Sequence, residues 1–451
     1  MEGQHVDVGI NLPPRSELLS DRRTRFLENL RPTLGDENVI DDARELVRWS
    51  RTTLPAGTTP LAVVRPADPS EVQAIMAEAT RQSVPLHPIS RGRNWGYGDA
   101  CAVSDGQVIV DLGRMNRIVE VDEELGIATI EPGVTQKQME IYLEERGIQF
   151  LVDATGAGPD VSIVGNTLER GFGHTPGGDR FLNSCGMEVV LPDGRLLKTG
   201  FSHYANSRVD GCYKWGIGPY LDGLFTQSNL GIVTRLTFWL VPMPECFKAL
   251  FLFLEDKEGI GPLVEVFRAL RMRGTLKTAV HFFNDVRLIA GSQPFPWDLV
   301  PEGGALSDDV IALLRRRHGI GAWTGTGGIY GSTIEVAAAA REIKKAFKQV
   351  PGRKRILFVD DRRMRALRWM ADGLAALDLA PGLRSKIEKM EQGFHLLRGC
   401  SSHLNFRSGM WRVRRPTSQP ASEVYDPLAQ RAGFLWLSPV LPMRSADVAR
   451  F

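Results

Sequence analysis

At 451 residues the chain exceeds the size at which a single hydrophobic core keeps growing, so at least two packed units with room for a buried site between them are expected. Its 55 basic and 53 acidic side chains nearly cancel, which removes any general electrostatic ground for binding nucleic acid. Cys101, Cys185, Cys212, Cys246 and Cys400 are scattered without paired spacing, so neither a disulfide framework nor a metal site is expected. No stretch is apolar for long enough to span a membrane, and the N-terminal residues lack the apolar centre of a signal peptide. A cytoplasmic protein with no membrane partner is the expectation.

In chain order, residues 23–50 have helical apolar spacing broken around Pro32 and Gly35, and predict a leader packed on the first domain. From Pro60 the texture changes to strand (PLAVVRP), helix (DPSEVQAIMAEATRQS), strand (PLHPIS) and a glycine-rich turn. Strands follow at QVIVDLG and IVEVDEELGIATIEPG, then a helix at TQKQMEIYLEERG. A glycine-dense block comes next, then a hairpin at CGMEVVLPDGRLLKTG, where Pro-Asp-Gly separates two apolar runs. Beyond residue 245 strand and helix alternate again, predicting an antiparallel sheet with helices on one side; the final GFLWLSPVLP reads as a strand after a Pro-, Ser- and Arg-rich connection. The expected organisation is a leader (1–59), a central domain (60–245) and a third unit (246–451), in an α+β fold.

Two segments carry candidate chemistry. Residues 89–98, ISRGRNWGYG, form a turn after an apolar strand, with Gly92, Gly96 and Gly98 beside Arg91 and Arg93. Glycines let backbone N–H groups close on a pyrophosphate, and clustered amides make an anion nest. The same pattern fits a glycine turn carrying surface arginines. Residues 162–179, SIVGNTLERGFGHTPGGD, bring bare backbone close to something flat or charged, unless they are simply a long loop. Neither segment has the G-x-G-x-x-G or G-x-x-x-x-G-K-[ST] arrangement, which argues against a nicotinamide Rossmann enzyme or a P-loop ATPase.

Taken together, PLHPISRGRNWGYG, VIVDLGRMNRIVEVD, IEPGVT, SIVGNTLERGFGHTPGGDRF, CGMEVVLPDGRLLKTG and GPYLDGLFTQSNLGIVTRLTFWLVPMPE resemble the flavoprotein oxidases and dehydrogenases typified by vanillyl-alcohol oxidase and p-cresol methylhydroxylase, with eugenol oxidase among them. The resemblance covers residues 60–244 closely and continues more weakly to GFLWLSPVLP. It implies a two-lobed FAD-binding domain, with residues 246–451 as an antiparallel-sheet-plus-helices cap, and FAD as the cofactor.

Carried over, the resemblance implies that Ser90, Arg91, Gly92, Arg93 and Asn94 hold the pyrophosphate through backbone amides. It implies that Pro132, Gly133 and Thr135, with Ser162, Gly165, Asn166, Arg170, Gly171, Gly173 and Thr175, and with Gly231, Ile232 and Val233, line the adenine, ribose and isoalloxazine. Tyr97 stands where the family binds a substrate phenolate, although a structural hydrogen bond would also satisfy its hydroxyl.

The chain also departs from the family. Phe434 stands where a flavin-tethering histidine is found, so a histidyl tether is not expected. His174 and Gly177 replace two tyrosines, which implies a reshaped pocket. The position of a carboxylate used by several relatives is occupied by Ala157, leaving Asp153 and Asp160 as flanking alternatives. The family's final segment, with a second tyrosine and an arginine for the phenolate, is expected to be lacking after Phe451. Tyr97, His174 and Asp160 are accordingly the catalytic candidates.

Functionally, the resemblance implies hydride removal from a carbon attached to a para-substituted phenol, with oxygen or an electron-transfer protein as acceptor and a homodimer as the assembly. Oxidative decarboxylation of a larger aromatic metabolite, and flavin binding without turnover, stand as alternatives. The basic runs around Arg315, Lys344, Arg353 and Arg362 read as solvated helix faces, and Trp411 and Arg412 as a cap stretch able to face the flavin.

Overall fold

The structure, a computed structural model, describes residues 15–301, 303–377, 379, 382–403, 409, 411–412, 427–428 and 433–450. Most of the connecting loop expected at residues 407–427 lies outside these.

The first lobe opens with α1 (Arg15–Leu34), β1 (Val39–Ile40) and α2 (Ala43–Leu46), followed by β2 (Ala62–Val64), α3 (Pro69–Gln82), β3 (Leu86–Ile89) and β4 (Val108–Asp111). Helix α3 starts where Asp68 accepts from the amides of Ser70 and Glu71 and Pro69 supplies a preset first turn; it stops where Ser83 turns left-handed. Its buried side chains Val72, Ile75, Met76 and Ala79 recur at helical spacing and meet Phe26, Leu27 and Leu30 of α1. The sheet order is β1-β2-β4-β3, with the last three strands parallel and β1 an antiparallel edge. The leader therefore contributes a strand as well as a helix to this lobe.

The second lobe contains β5 (Ile118–Asp122), β6 (Ile127–Ile130), α4 (Gln136–Glu145), β7 (Phe150–Leu151), α5 (Ile163–Leu168), β8 (Ser184–Val190), β9 (Leu196–Lys198), β10 (Ile232–Trp239) and β11 (Val241–Pro242). Its antiparallel sheet runs β5-β6-β10-β8-β9, and β7 pairs with β11. Val190 and Ile232, opposite one another on β8 and β10, are buried in the core of the first lobe, which fuses the two.

The cap comprises β12 (Cys246–Leu254), α6 (Ile260–Met272), β13 (Val280–Asn284), α7 (Asp285–Ala290), α8 (Asp308–His318), β14 (Trp323–Gly331), α9 (Thr333–Phe347), β15 (Lys354–Val359), α10 (Asp361–Ala376), α11 (Leu383–Leu397) and α12 (Ser445–Arg450). Its antiparallel sheet has the order β13-β14-β12-β15. Here the expectation of helices on one side is corrected. Leu250, Leu252 and Leu254 of β12 pack with α6 and α9, whereas Phe247, Ala249 and Phe251 pack with Met364 of α10 and Phe394 of α11. The strand alternates faces and both are apolar, so each demands its own helical cover.

A second correction concerns residues 433–442, which form no strand. They run extended against the first lobe, the Phe434 amide donating to the Thr53 carbonyl (2.9 Å) and the Trp436 amide to that of Gly96 (3.1 Å). Pro439 and Pro442 lack the N–H groups that a ladder would use.

Candidate active site

The two parallel strands β3 and β4 end side by side, and the loops beyond their carboxyl ends lie together, the usual place for a ligand on such a sheet. Residues 90–94 turn there with Gly92 at φ +60°. Among the described residues, the amides of Arg91, Gly92, Arg93 and Asn94 make no hydrogen bond within the chain, and two arginine side chains flank them. Clustered unbonded amides of this kind can hold an anion.

Three glycines pack the neighbouring loops against that turn. A β-carbon on Gly165 would lie 3.1 Å from Ser90 Oγ; one on Gly133 would lie 2.7 Å from the Met115 carbonyl oxygen and 2.8 Å from that of Gly113; one on Gly113 would lie 3.5 Å from the Ser90 carbonyl. The loops after β3, β4 and β6 and the start of α5 thus meet at contact distance. Thr135 and Ser162 are committed within this junction. Thr135 Oγ1 accepts from the Gln138 amide (3.1 Å) and starts α4, while Ser162 Oγ accepts from Gly165 N (2.8 Å) and donates to the Pro132 carbonyl (2.6 Å). Their backbones bridge each other.

Other sequence candidates lie farther along. The Asn166 side chain occupies the space that a β-carbon on Gly171 would need, and its Oδ1 is buried without a partner. Arg170 donates to Thr226 Oγ1 (2.9 Å) and lies over the Phe181 ring. Gly231 passes close to the Val190 carbonyl, whereas the side chains of Ile232 and Val233 are buried in the cores of the two lobes. An unbonded amide nest, a buried acceptor without a partner, and glycines where no side chain fits suit an extended dinucleotide bearing a pyrophosphate.

Tyr97 stands on a staked loop. Asp99 is buried at φ +60° and accepts from Thr52 Oγ1 (2.7 Å) and from Thr53, while Thr53 Oγ1 accepts from the Gly96 amide (2.9 Å). The Tyr97 ring is 52% exposed, so its hydroxyl is not a core hydrogen bond; it shares one with Ser438 Oγ (2.7 Å). Phe434 and Trp436, from the same extended segment, lie over Gly96. Asp160 faces His403 (3.9 Å) and shares a small niche with Arg93, Trp95 and Ala157. His174 stacks on His281 of the cap, with centroids 4.3 Å apart and planes 24° apart. Burial, with His281 as the second cause, holds His174 down to about 3, so the ring is neutral at physiological pH. No hydrogen bond or ion pair joins Tyr97, Asp160 and His174 to one another.

Sequence reasoning missed a buried network behind the glycine-rich block. Arg180 is fully buried; it donates through Nε to the Asp153 carbonyl (2.9 Å) and through Nη2 to Gln136 Oε1. Gln136 in turn donates to the Gly158 carbonyl (2.7 Å) and accepts from the Thr155 amide (2.8 Å), so Arg180 fixes the loop 153–158. The Asp153 carboxylate accepts from Thr175 N (3.1 Å) and Thr175 Oγ1; burial pushes its pKa up, and Arg180 opposes that. Burial lowers Arg180 itself to about 10. The available signal was Gly173 and Gly177, since a β-carbon on either would run into Asp153.

A cleft of about 300 Å³ opens between α7 of the cap and residues 434–436, lined by Asn284, Val286, Arg287, Ala290, Trp411 and Trp436 among others. Trp411 donates from Nε1 to the Gln293 carbonyl (3.0 Å), and Arg412 lies over Phe295 and Trp297, directed at cap rings.

The sequence pattern of an FAD binding domain matches residues 60–200. Over 430 residues, 94% of the chain and 77% of the relative, the sequence is 37% identical to 1'-carboxy-chondrochloren decarboxylase of Chondromyces crocatus. The chain belongs to the vanillyl-alcohol oxidase and p-cresol methylhydroxylase family of flavoproteins. It is also 35% identical, over 74% of its length, to the 4-cresol dehydrogenase [hydroxylating] flavoprotein subunit of Pseudomonas putida, and spans 64% of that relative. The fold superposes on 4-ethylphenol oxidase from Gulosibacter chungangensis, solved as an isoeugenol complex, with a TM-score of 0.79 and 28% identity over 87% of this chain and 72% of that one. The family's cofactor is FAD, and the chain is an FAD-dependent oxidoreductase. Among the described residues, no cluster of His, Cys, Asp and Glu is arranged to hold a metal ion, and no helix is long and apolar enough to cross a membrane.

Proposed function

We propose that the chain oxidises a para-hydroxyphenyl substrate carrying a carboxylate and releases that carboxylate as carbon dioxide. The observation that carries this reading is the extent of the likeness to 1'-carboxy-chondrochloren decarboxylase: it runs through the cap as well as the FAD lobes, and the cap is the part that shapes a substrate pocket. This favours the decarboxylase reading over simple phenol oxidation.

In this reading the amides of Arg91 to Asn94 hold the pyrophosphate and the start of α5 abuts the rest of the dinucleotide. Bound FAD supplies a two-electron acceptor for hydride. The Tyr97 hydroxyl exchanges its Ser438 partner for the substrate phenolate and holds negative charge on that oxygen, which pushes electrons toward the benzylic carbon. Loss of hydride from that carbon leaves a quinone methide. The bond to the carboxylate, one carbon farther out, then breaks; its electron pair forms the new carbon–carbon double bond and restores the phenolate. The neutral His174 and His281 rings present an uncharged surface, with His174 standing where the resemblance places a tyrosine. Oxygen or an electron-transfer protein takes the electrons away.

The test is anaerobic mixing of the flavin-loaded protein with carboxyl-labelled 3-(4-hydroxyphenyl)propanoate and larger para-hydroxyphenyl acids. One labelled carbon dioxide per flavin bleached supports decarboxylation. Bleaching without label release would assign plain hydride abstraction, the chemistry named for the 4-cresol dehydrogenase relative.

A further inference from the structure

We infer that the exposed aromatic face of residues 201–220 is a self-association surface, and that its occupant is the same face of a second copy of this chain, brought up about a two-fold axis. The face lies on the second lobe between β9 and β10, apart from the residues assigned to the flavin and from the cleft of the cap.

The rings make one continuous surface. Phe201 touches Tyr204 and Tyr213, with centroids 6.2 and 5.9 Å away; Tyr213 touches Trp215 (5.4 Å), and Trp215 touches Tyr220 (6.3 Å). Tyr204, Tyr213 and Trp215 are each close to half exposed, and Ile217, the second residue after Trp215, is 79% exposed. Single apolar side chains at a surface need no explanation, but a joined group of large ones marks a contact site. Tyrosine and tryptophan anchor protein interfaces because they bring much apolar area with few rotatable bonds. The loop that carries them is held firmly. Trp239 of β10 donates from Nε1 to the Gly211 carbonyl (2.7 Å), and Lys214 Nζ lies over the Trp239 ring (4.7 Å). A β-carbon on Gly216 would come within 2.9 Å of Gly200 Cα, so two stretches of the loop touch backbone to backbone. Little ordering is left to be done on association.

Charge decides what kind of partner fits. Arg208 and Asp210 are both exposed on the same loop, with one residue between them. Asp210 also feels Lys198 of β9 and Glu120 of β5, again one charge of each sign. A rim of mixed sign presents no strong field to an acidic or a basic partner, but it complements itself. About a two-fold axis, Arg208 of one copy meets Asp210 of the other, and the same contact repeats in reverse. The near balance of 55 basic and 53 acidic side chains adds no long-range repulsion between copies. Pairing like with like also covers the rings of both copies in one step, so neither is left with an apolar face in water.

The experiment is sedimentation velocity on the full, flavin-loaded chain between about 1 and about 100 μM. The expected result is a species of twice the chain's mass over the upper part of that range. Ile217→Glu and Trp215→Glu should each weaken the pair roughly a hundredfold, with flavin content and circular dichroism unchanged. Trp369→Glu, at an exposed ring on α10 of the cap, should leave the pair intact. Arg208→Asp and Asp210→Arg should each loosen it roughly tenfold, and the two together should restore it. A wild type that stays monomeric at about 100 μM would overturn the inference without any variant having to fold. So would a dimer that survives both glutamate variants, or one that Trp369→Glu breaks as readily as they do. A mass that climbs steadily past two copies would show open-ended association and overturn the two-fold pairing, and failure of the double charge reversal to restore the pair would overturn its rim-to-rim geometry.

Discussion

His174 of the glycine-rich block and His281 of cap strand β13 stack face to face with centroids 4.3 Å apart, so two ionisable rings join the FAD lobes to the cap while both are kept neutral. The first prediction follows from that pairing. His174 is lowered from 6.5 to about 3, mainly by burial, and His281 is lowered by burial too. In the unfolded chain both rings take up a proton as pH falls through 6.5, whereas in the folded chain His174 refuses it until about 3 and burial also resists protonation of His281. Unfolding therefore binds protons in this window, and stability falls as the pH is lowered through it, at a slope approaching ~1.4 kcal/mol per pH unit for His174, with His281 acting in the same direction. His174→Phe should keep the stacking surface and flatten the decline. Melting temperatures of both proteins between about pH 7 and about pH 5 check it; parallel curves would contradict it.

The second prediction separates two glycines. At Gly133 a β-carbon would meet two backbone carbonyl oxygens at 2.7 and 2.8 Å, and neither can move without shifting the junction of the lobes. Gly133→Ala should cost about 1–3 kcal/mol and release FAD more readily. Gly373, inside α10, has open space around the missing β-carbon, so Gly373→Ala should be neutral or stabilise by up to about 1 kcal/mol. Denaturant midpoints and flavin absorbance after gel filtration measure both.

A third concerns Arg180. With the guanidinium fully buried and bonded to the Asp153 carbonyl and Gln136, Arg180→Gln removes the nearby positive charge that opposes the upward shift of the Asp153 carboxylate and leaves the 153–158 loop without its anchor. The expected loss is about 2–4 kcal/mol, the cost of losing buried charged hydrogen bonds and the cation that steadies the Asp153 carboxylate. Asp153→Asn in the same chain should recover part of it. A double-mutant cycle in urea gives the coupling, and strictly additive losses would show that the pair is not coupled.

How far the sequence foretold this arrangement differs from element to element. The helix starts at Asp68 and Thr135 and the hairpin turn at Gly194 are local devices, and each sits where its residues announce it. The two faces of β12 were not legible, because CFKALFLFL reads as one apolar run and only the three-dimensional sheet shows that both sides need cover. GFLWLSPVLP reads as a strand for the same reason, yet its backbone partners are Thr53 and Gly96, hundreds of residues earlier. Arg180 gave no periodic signal at all. It is a single arginine after two glycines and an aspartate, and its meaning comes from Asp153 and Gln136.

The last prediction tests the phenolate end of the site. Tyr97 is exposed enough that removing its hydroxyl creates no buried cavity, and that hydroxyl shares a hydrogen bond with Ser438, on the segment that walls the cap cleft. Two roles are therefore distinguishable. If the hydroxyl acts only as a strut for that segment, Tyr97→Phe and Ser438→Ala should have the same modest effect, each removing one side of a single hydrogen bond worth about 1 kcal/mol. If it holds the phenolate, Tyr97→Phe should slow anaerobic flavin reduction by roughly a hundredfold, the cost of losing one donor aimed at developing charge. Ser438→Ala should then slow it little. The second outcome is expected, because in the proposed reaction the substrate oxygen takes the place of Ser438. Stopped-flow reduction of the two variants, with flavin content confirmed equal, decides between them, and equal slowing would reduce Tyr97 to a structural contact.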